Sequence, residues 1–147
     1  MNAAIFRRVL VGWDGSDGAG AALRIAATIA DSDGAEVAAL AVLSPILHIE
    51  TERDRTAEES RRRGLVEESF GNYRNTLPAT CNAKISLHFS ENFDVGRAVC
   101  EYADANNFDL IILGRHGKRW AHDRLGNVVE TVAKKSSIPL LLLEGQA

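Results

Sequence analysis

The chain has 147 residues, of which 46% are hydrophobic and 25% charged, values typical of one soluble globular domain, here taken as residues 1–147. The net charge of -3 provides no broad basic field, which argues against binding to DNA or RNA. No apolar run approaches the ~18 residues of a membrane span, and Arg7 and Arg8 interrupt the apolar N-terminus where a signal peptide would lie. Cys81 and Cys100 form no metal-binding or disulfide pattern, so we expect a cytoplasmic protein with free thiols.

Five short apolar runs predict β-strands. The first, fourth and fifth are almost continuous in apolar residues, as in strands buried on both faces of a parallel sheet. The fifth extends from Ile138 to Leu143 and has the sequence IPLLLL. The other predicted strands cover residues 9–13, 37–43, 85–89 and 110–114.

Three segments between these strands have apolar residues at helical spacing. The first predicted helix ends at Gly34, a residue type favoured beyond a helix C-terminus. The second follows Asp94, which is a good N-cap. The last begins at Asn127, placed three residues before Glu130 as in a capping box, and it ends in two lysines that suit its C-terminal dipole.

The remaining segment, residues 50–77, is rich in acids and arginines that balance each other. Glu58 and Glu59 each precede an arginine by four residues, the favourable order for ion pairs on a helix. Two interpretations stay open: a solvated helix face, or an arginine patch at residues 61–63 that binds a protein partner. The pattern also leaves open whether the segment is one helix or a loop followed by a helix.

The predicted elements alternate as β-α-β-α-β-α-β-α-β. This order is typical of a parallel sheet with helices on both faces and right-handed crossovers. Ligands on such sheets bind beyond the carboxyl ends of the strands. Two loops follow strands at such positions, WDGSDG after the first strand and GRHGK after the fourth.

The loop after the fourth strand has features of an anion site. Gly114 and Gly117 allow unusual backbone angles and a close approach to main-chain N–H groups. Gly126 and Asn127 then open the last helix, whose first N–H groups are unpaired. The sequence contains neither a P-loop nor the GxGxxG fingerprint, so the pattern fits either a phosphate site or a glycine-rich turn before a helix. Basic residues in and around the loop are Arg115, His116, Lys118, Arg119 and Arg124.

Three stretches carry a resemblance to a known family: VLVGWDGSDGAGAALRIA, DLIILGRHGK and GNVVETVAKKSSIPLLLL. Together they resemble the universal stress protein family over nearly the whole chain. The resemblance implies an α/β, single-domain Rossmann-like fold of the adenine nucleotide alpha hydrolase-like type. Its parallel five-stranded sheet would have the order 3-2-1-4-5, with helices on both faces. It also implies a homodimer formed through the C-terminal strand, Ile138 to Leu143.

One branch of that family binds ATP through the signature Gly-x2-Gly-x9-Gly-[Ser/Thr]. Gly114 and Gly117 match its first half, but eight residues rather than nine separate Gly117 from Gly126, and Asn127 replaces Ser or Thr. The resemblance places Asp14 at the ribose or adenine, the Val42 backbone at the adenine, and the glycine loop at the phosphates. The nucleotide site that it implies consists of Asp14, Val42, Gly114, Gly117, Gly126, Asn127 and Val128.

The sequence therefore predicts a dimeric universal stress protein that binds ATP or another adenine nucleotide, with or without Mg²⁺ or Mn²⁺, in a stress-response or signalling role. The alternative is a member of the family that binds no ATP and acts through protein partners. The histidines lack metal-ligand spacing, and no Ser-His-Asp arrangement is found, so no catalytic or metal-binding residue is assigned. Any turnover would be slow and metal-assisted.

Overall fold

Five strands and four helices alternate along the residues that the computed structural model describes, 4–115 and 126–144. All four strand pairings are parallel, and the sheet order is β3-β2-β1-β4-β5. The predicted α/β fold and its 3-2-1-4-5 strand order are confirmed. The elements are β1 (Arg8–Gly12), α1 (Asp17–Asp33), β2 (Glu36–Leu43), α2 (Glu52–Arg74), β3 (Lys84–Glu91), α3 (Val95–Ala105), β4 (Leu110–Gly114), α4 (Asn127–Lys135) and β5 (Leu140–Leu143).

The sheet is buried between two apolar layers. Because side chains alternate along a strand, Val9 and Val11 face the layer that contains α1, whereas Leu10 faces the layer formed by α3 and α4. Burial of one such side chain stabilises the fold by about 1.5–3 kcal/mol. The stripe of α1 against the sheet consists mainly of small residues, which lets this helix lie close to the strands. Its buried alanines are Ala19, Ala22, Ala26, Ala27 and Ala30.

β5 and β3 differ most in length from their predictions, for reasons that lie in hydrogen bonding, whereas β2 is one residue longer than predicted. β5 begins at Leu140 rather than Ile138, because Pro139 has no N–H to give to a ladder. The Pro139 carbonyl still accepts from the Ile111 N–H at 2.9 Å. β3 extends to Lys84–Glu91 because it pairs with β2 along its whole length.

The predicted ends of α1 and α3 are confirmed. Gly34 follows α1 with a left-handed φ of 72°, and its N–H donates to the Ala30 carbonyl. The Asp94 side chain caps α3 by accepting from the Arg97 N–H at 3.1 Å. Both ends therefore follow from residue types that satisfy the first N–H or the last carbonyl groups of a helix.

The charged segment forms one helix, α2, which begins after the Thr51 cap and runs to Arg74. Glu58 accepts from both Arg61 and Arg62, and these arginines lower the pKa of its carboxyl to about 2. The expected pairing of Glu58 with Arg62 is confirmed, at 3.3 Å. Arg63 does not pair with Glu59 and instead lies over the ring of Phe89, 4.6 Å from its centroid.

No helix within residues 4–115 and 126–144 is both long enough and apolar enough to cross a bilayer.

Candidate functional site

A cavity of about 550 Å³ opens at the carboxyl end of the sheet. The ends of β1, β2 and β4 form its floor, α2 forms one wall, and the first residues of α3 and α4 form the other. Its volume lies within the range of small-molecule sites. The predicted site residues that line it are Asp14, Val42, Gly114, Gly126, Asn127 and Val128. Gly117 lies outside the described residues.

Asp14 holds the turn between β1 and α1. Its Oδ1 accepts from the Ser16 N–H at 2.9 Å, and Gly15 takes the positive φ of 76° that this turn requires. Ser16 is then the N-cap of α1, because its Oγ accepts from the Ala19 N–H at 3.1 Å. Asp14 is exposed and lines the cavity. Its carboxylate therefore stabilises the turn and is also accessible to a ligand in the cavity.

Gly114 is required by packing. A Cβ at this position would lie 2.9 Å from both Cα and C of Gly18, in the first turn of α1. Gly114 does not have a positive φ, so the freedom of backbone angles that glycine allows is not what this position uses. Its lack of a side chain lets the start of α1 approach the end of β4, at the cavity floor.

The N-cap of α4 is Gly126, and Asn127 is the first helical residue, so the prediction that Asn127 caps this helix is wrong. The Gly126 carbonyl accepts from the Glu130 N–H at 3.0 Å, which begins the helix one residue earlier than expected. Gly126 has no side chain that could cap the helix. The N–H groups of residues 127–129 therefore have no intrahelical acceptor, and they lie at the edge of the cavity.

Arg115 lies at the start of the loop that joins β4 to α4, and its backbone contacts the end of that loop. Its carbonyl accepts from the Gly126 N–H at 3.2 Å, which holds the two ends of the loop together. Its guanidinium pairs with Glu144 at 2.8 Å, so its charge is balanced beside β5. The other basic residues of the loop, at positions 116, 118, 119 and 124, lie outside the described residues.

The wall formed by α2 was not expected from the sequence. Trp13 is only 5% exposed and packs edge-on against Phe70 and Tyr73, with ring centroids 5.3 Å away in each case. Its Nε1–H donates to Ser69 Oγ at 3.1 Å. A weak signal was present in the sequence, since Val66, Ser69, Phe70 and Tyr73 follow each other at helical spacing within the charged segment.

The cavity combines apolar walls with a few polar groups, as small-molecule sites commonly do. Its ionisable side chain among the described lining residues is Asp14, and no base lies beside a nucleophile there. Across the described ranges, no three His, Cys, Asp or Glu side chains come together as a metal site. A small molecule that combines an apolar part with an anionic group matches this cavity in volume and in polarity.

The sequence profile of the universal stress protein family matches residues 5–144, so the chain belongs to that family. A search of curated protein sequences gives no match.

Solved structures with the same fold are similar over almost the full chain. Hypothetical protein MJ0577 is 25% identical with a TM-score of 0.70, over 97% of this chain and 99% of that one. A universal stress protein in complex with cAMP is 23% identical with a TM-score of 0.69, over 95% and 97%. A universal stress protein from Archaeoglobus fulgidus in complex with dAMP is 21% identical with a TM-score of 0.65, over 95% and 99%.

Proposed function

We propose that this universal stress protein binds an adenine nucleotide in the cavity, with its phosphates at the start of α4. The observation that carries the proposal is the helix start at Gly126, which has no side-chain cap and lies at the edge of an apolar-walled cavity. Free N–H groups and the positive end of a helix dipole stabilise a phosphate at such a position. The universal stress proteins solved in complex with cAMP and dAMP support the same ligand class.

The register of β2 supports a place for the base. The Leu40 carbonyl faces β1, where it accepts from the Trp13 N–H at 2.8 Å. Alternate residues of a strand direct their backbone groups to the same side, so the N–H and carbonyl of Val42 also face the β1 side. β1 ends at Gly12, which is paired with Leu40, and this leaves the Val42 groups free to bind the edge of an adenine.

The ribose would lie near Asp14, whose exposed carboxylate can accept hydrogen bonds from sugar hydroxyls. Mg²⁺ or Mn²⁺ would enter with the triphosphate and neutralise part of its charge. Such ions keep several water ligands and often take few protein ligands, so Asp14, the acidic side chain among the described lining residues, fits that role. The role that follows is binding or signalling, since Asp14 is the ionisable side chain among the described lining residues and the proposal engages it with the ribose or the metal ion and not with an attacking water.

We also propose a homodimer through the C-terminal strand, from Ile138 to Leu143. β5 is an edge of the sheet, and Leu141 on it is 36% exposed. An apolar edge strand favours pairing with a second chain. Leu141→Lys should yield monomers in size-exclusion chromatography; a persistent dimer would mean that another surface is used.

The alternative, action through protein partners at the arginines of α2, has weaker support. Arg61 and Arg62 already bind Glu58, and Arg62 also donates to the Ser44 carbonyl at 2.6 Å. These contacts give the charged segment a role within the fold. The cytoplasmic localisation expected from the sequence stays a prediction.

Calorimetric titration of the wild type with ATP, AMP and adenosine, with and without Mg²⁺ or Mn²⁺, tests the proposed function. We expect one saturable site per chain and an affinity that falls from ATP to AMP to adenosine, because the phosphates make the charge-assisted contacts. Val95→Trp, on the α3 wall, should fill the cavity and abolish binding. Ile25→Trp is the matched control at an exposed position of α1. No heat of binding at millimolar nucleotide would refute the proposal.

A further inference from the structure

Ser69, on the α2 wall of the cavity, has a hydroxyl whose hydrogen bonds are almost fully used. It accepts from Trp13 Nε1–H at 3.1 Å and donates to the Val66 carbonyl at 3.3 Å. A serine hydroxyl has one hydrogen to donate and two lone pairs to accept with. What remains for a ligand is therefore one acceptor position and no donor.

Trp13 fixes this arrangement. Its indole N–H can only donate, and its ring is held by Phe70 and Tyr73 in a position that is 5% exposed. A buried N–H without an acceptor is destabilising, so Ser69 Oγ keeps one lone pair directed at Trp13. A ligand that presents only an acceptor can therefore pair with Ser69 only if the hydroxyl hydrogen leaves the Val66 carbonyl, since one lone pair stays with Trp13.

We propose that Ser69 selects the base of the nucleotide by accepting a hydrogen bond from its 6-amino group. This inference rests on the proposed function and names the residue that distinguishes adenine from 6-oxopurines. The amino group of adenine has two hydrogens, one for the Val42 carbonyl and one for Ser69. The 6-oxo group of hypoxanthine or guanine would place an acceptor against the Val42 carbonyl and against the open acceptor position of Ser69, which disfavours binding unless the Ser69 hydrogen leaves the Val66 carbonyl.

A double-mutant cycle between the protein and the ligand tests this assignment. ATP is compared with purine riboside 5′-triphosphate, which lacks the amino group but keeps the rest of the base. In the wild type ATP should bind more tightly, and the ratio of the two affinities should fall by about five-fold in Ser69→Ala. Ser69→Thr keeps the hydroxyl and should keep the ratio. Ser60→Ala, at an exposed position of the same helix, is the matched control.

Inosine triphosphate extends the test. It should bind at least about ten-fold more weakly than ATP to the wild type, and part of that loss should be recovered in Ser69→Ala. If Ser69→Ala folds poorly because Trp13 loses its acceptor, Trp13→Phe combined with Ser69→Ala removes both partners and should show the same reduced ratio.

The outcomes separate the two proposals. Absence of ATP binding to the wild type would overturn the proposed function and the inference together. ATP binding with an unchanged ratio in Ser69→Ala would overturn the inference alone. If Ser69→Ala changes only the ratio of the affinities for ATP and 2′-deoxy-ATP, the inference would also be overturned, because Ser69 would then face the sugar.

Discussion

Of the helices that begin at the cavity, α1 and α4 complete their first turns in opposite ways. At α1 the Ser16 side chain accepts from Ala19, and the Asp14 carboxylate accepts from Ser16. At α4 the cap is Gly126, which has no side chain to offer. The first helix therefore pairs one of its free N–H groups, that of Ala19, with its own cap side chain, whereas the second has no cap side chain and leaves N–H groups that a ligand can satisfy. The comparison shows that a helix start without a side-chain cap can locate an anion site, just as the residues that bind the anion can.

The largest effect should come from separating α1 from β4. Gly114→Ala would place a Cβ 2.9 Å from the Gly18 backbone, which cannot move as a flexible side chain would. We expect a loss of about 2 kcal/mol in the free energy of unfolding, measured by chemical denaturation. Gly64→Ala is the control, since nothing lies within 4 Å of its added Cβ and a helical alanine is favoured. Equal stability of Gly114→Ala and the wild type would show that the contact is not tight.

The next largest effect should come from a substitution at the start of α4, which should weaken ATP binding and leave the stability of the fold unchanged. Asn127→Pro removes one N–H at the first helical position, where proline is tolerated, and Gly126 has the extended backbone (φ -65°, ψ 155°) that a following proline requires. We expect ATP to bind about ten-fold more weakly, by calorimetry, with an unchanged unfolding midpoint. Asn127→Ala keeps the N–H and should bind ATP more tightly than Asn127→Pro does. Equal ATP affinities of the two variants would show that the Asn127 backbone N–H does not contribute to ATP binding.

Removing the side-chain cap of α1 should lower the stability of the fold and leave ATP binding unchanged. Ser16→Ala should lower the free energy of unfolding by about 1 kcal/mol while ATP affinity stays unchanged. Thr28→Ala removes a hydroxyl that bonds to Arg24 within the same helix, and it should cost little or no stability. A loss of ATP affinity in Ser16→Ala larger than that in Asn127→Pro would reverse the roles of the two helix starts.

The smallest effect concerns pH. The Tyr73 hydroxyl donates to Asp17 at 2.8 Å, and this hydrogen bond, together with burial, raises the pKa of Tyr73 above its ordinary value of about 10. The folded protein therefore holds this proton more tightly than the unfolded chain. The resulting stability is fully present below pH ~10 and is lost as pH rises through the folded-state pKa. Unfolding curves of Tyr73→Phe should depend less on pH above ~10 than those of the wild type; identical slopes would contradict the assignment.

Most of the fold could be predicted, because its signals are local. Continuous apolar runs and the turn chemistry of Gly34 and Asp94 identify the elements and two helix ends without tertiary information. The length of β3 could not be predicted, since it depends on pairing with β2 along the whole strand. The strand order came from the family resemblance, and the observed topology confirms it.

The site was predictable on one side only. Asp14 follows β1 and Gly126 precedes α4. The order of the elements along the chain is enough to place both residues at the carboxyl end of the sheet. The cap of α4 was placed one residue too late, because Asn127 followed by Glu130 has the spacing of a capping box and sequence spacing cannot show which residue starts the helix. Trp13 and Ser69 meet across 56 residues of sequence, a contact that no local pattern encodes.

Amide chemical shifts test the central comparison most directly. In a ¹H–¹⁵N spectrum of the labelled protein, ATP should shift the N–H signals of Asn127 and Val128 strongly, and adenosine should shift them little, because only the phosphates reach α4. The Ala19 signal, whose N–H is already bonded to Ser16, should change little with either ligand. Phosphate-dependent shifts at Ala19 with none at Asn127 and Val128 would contradict the assignment of the anion site to the uncapped helix.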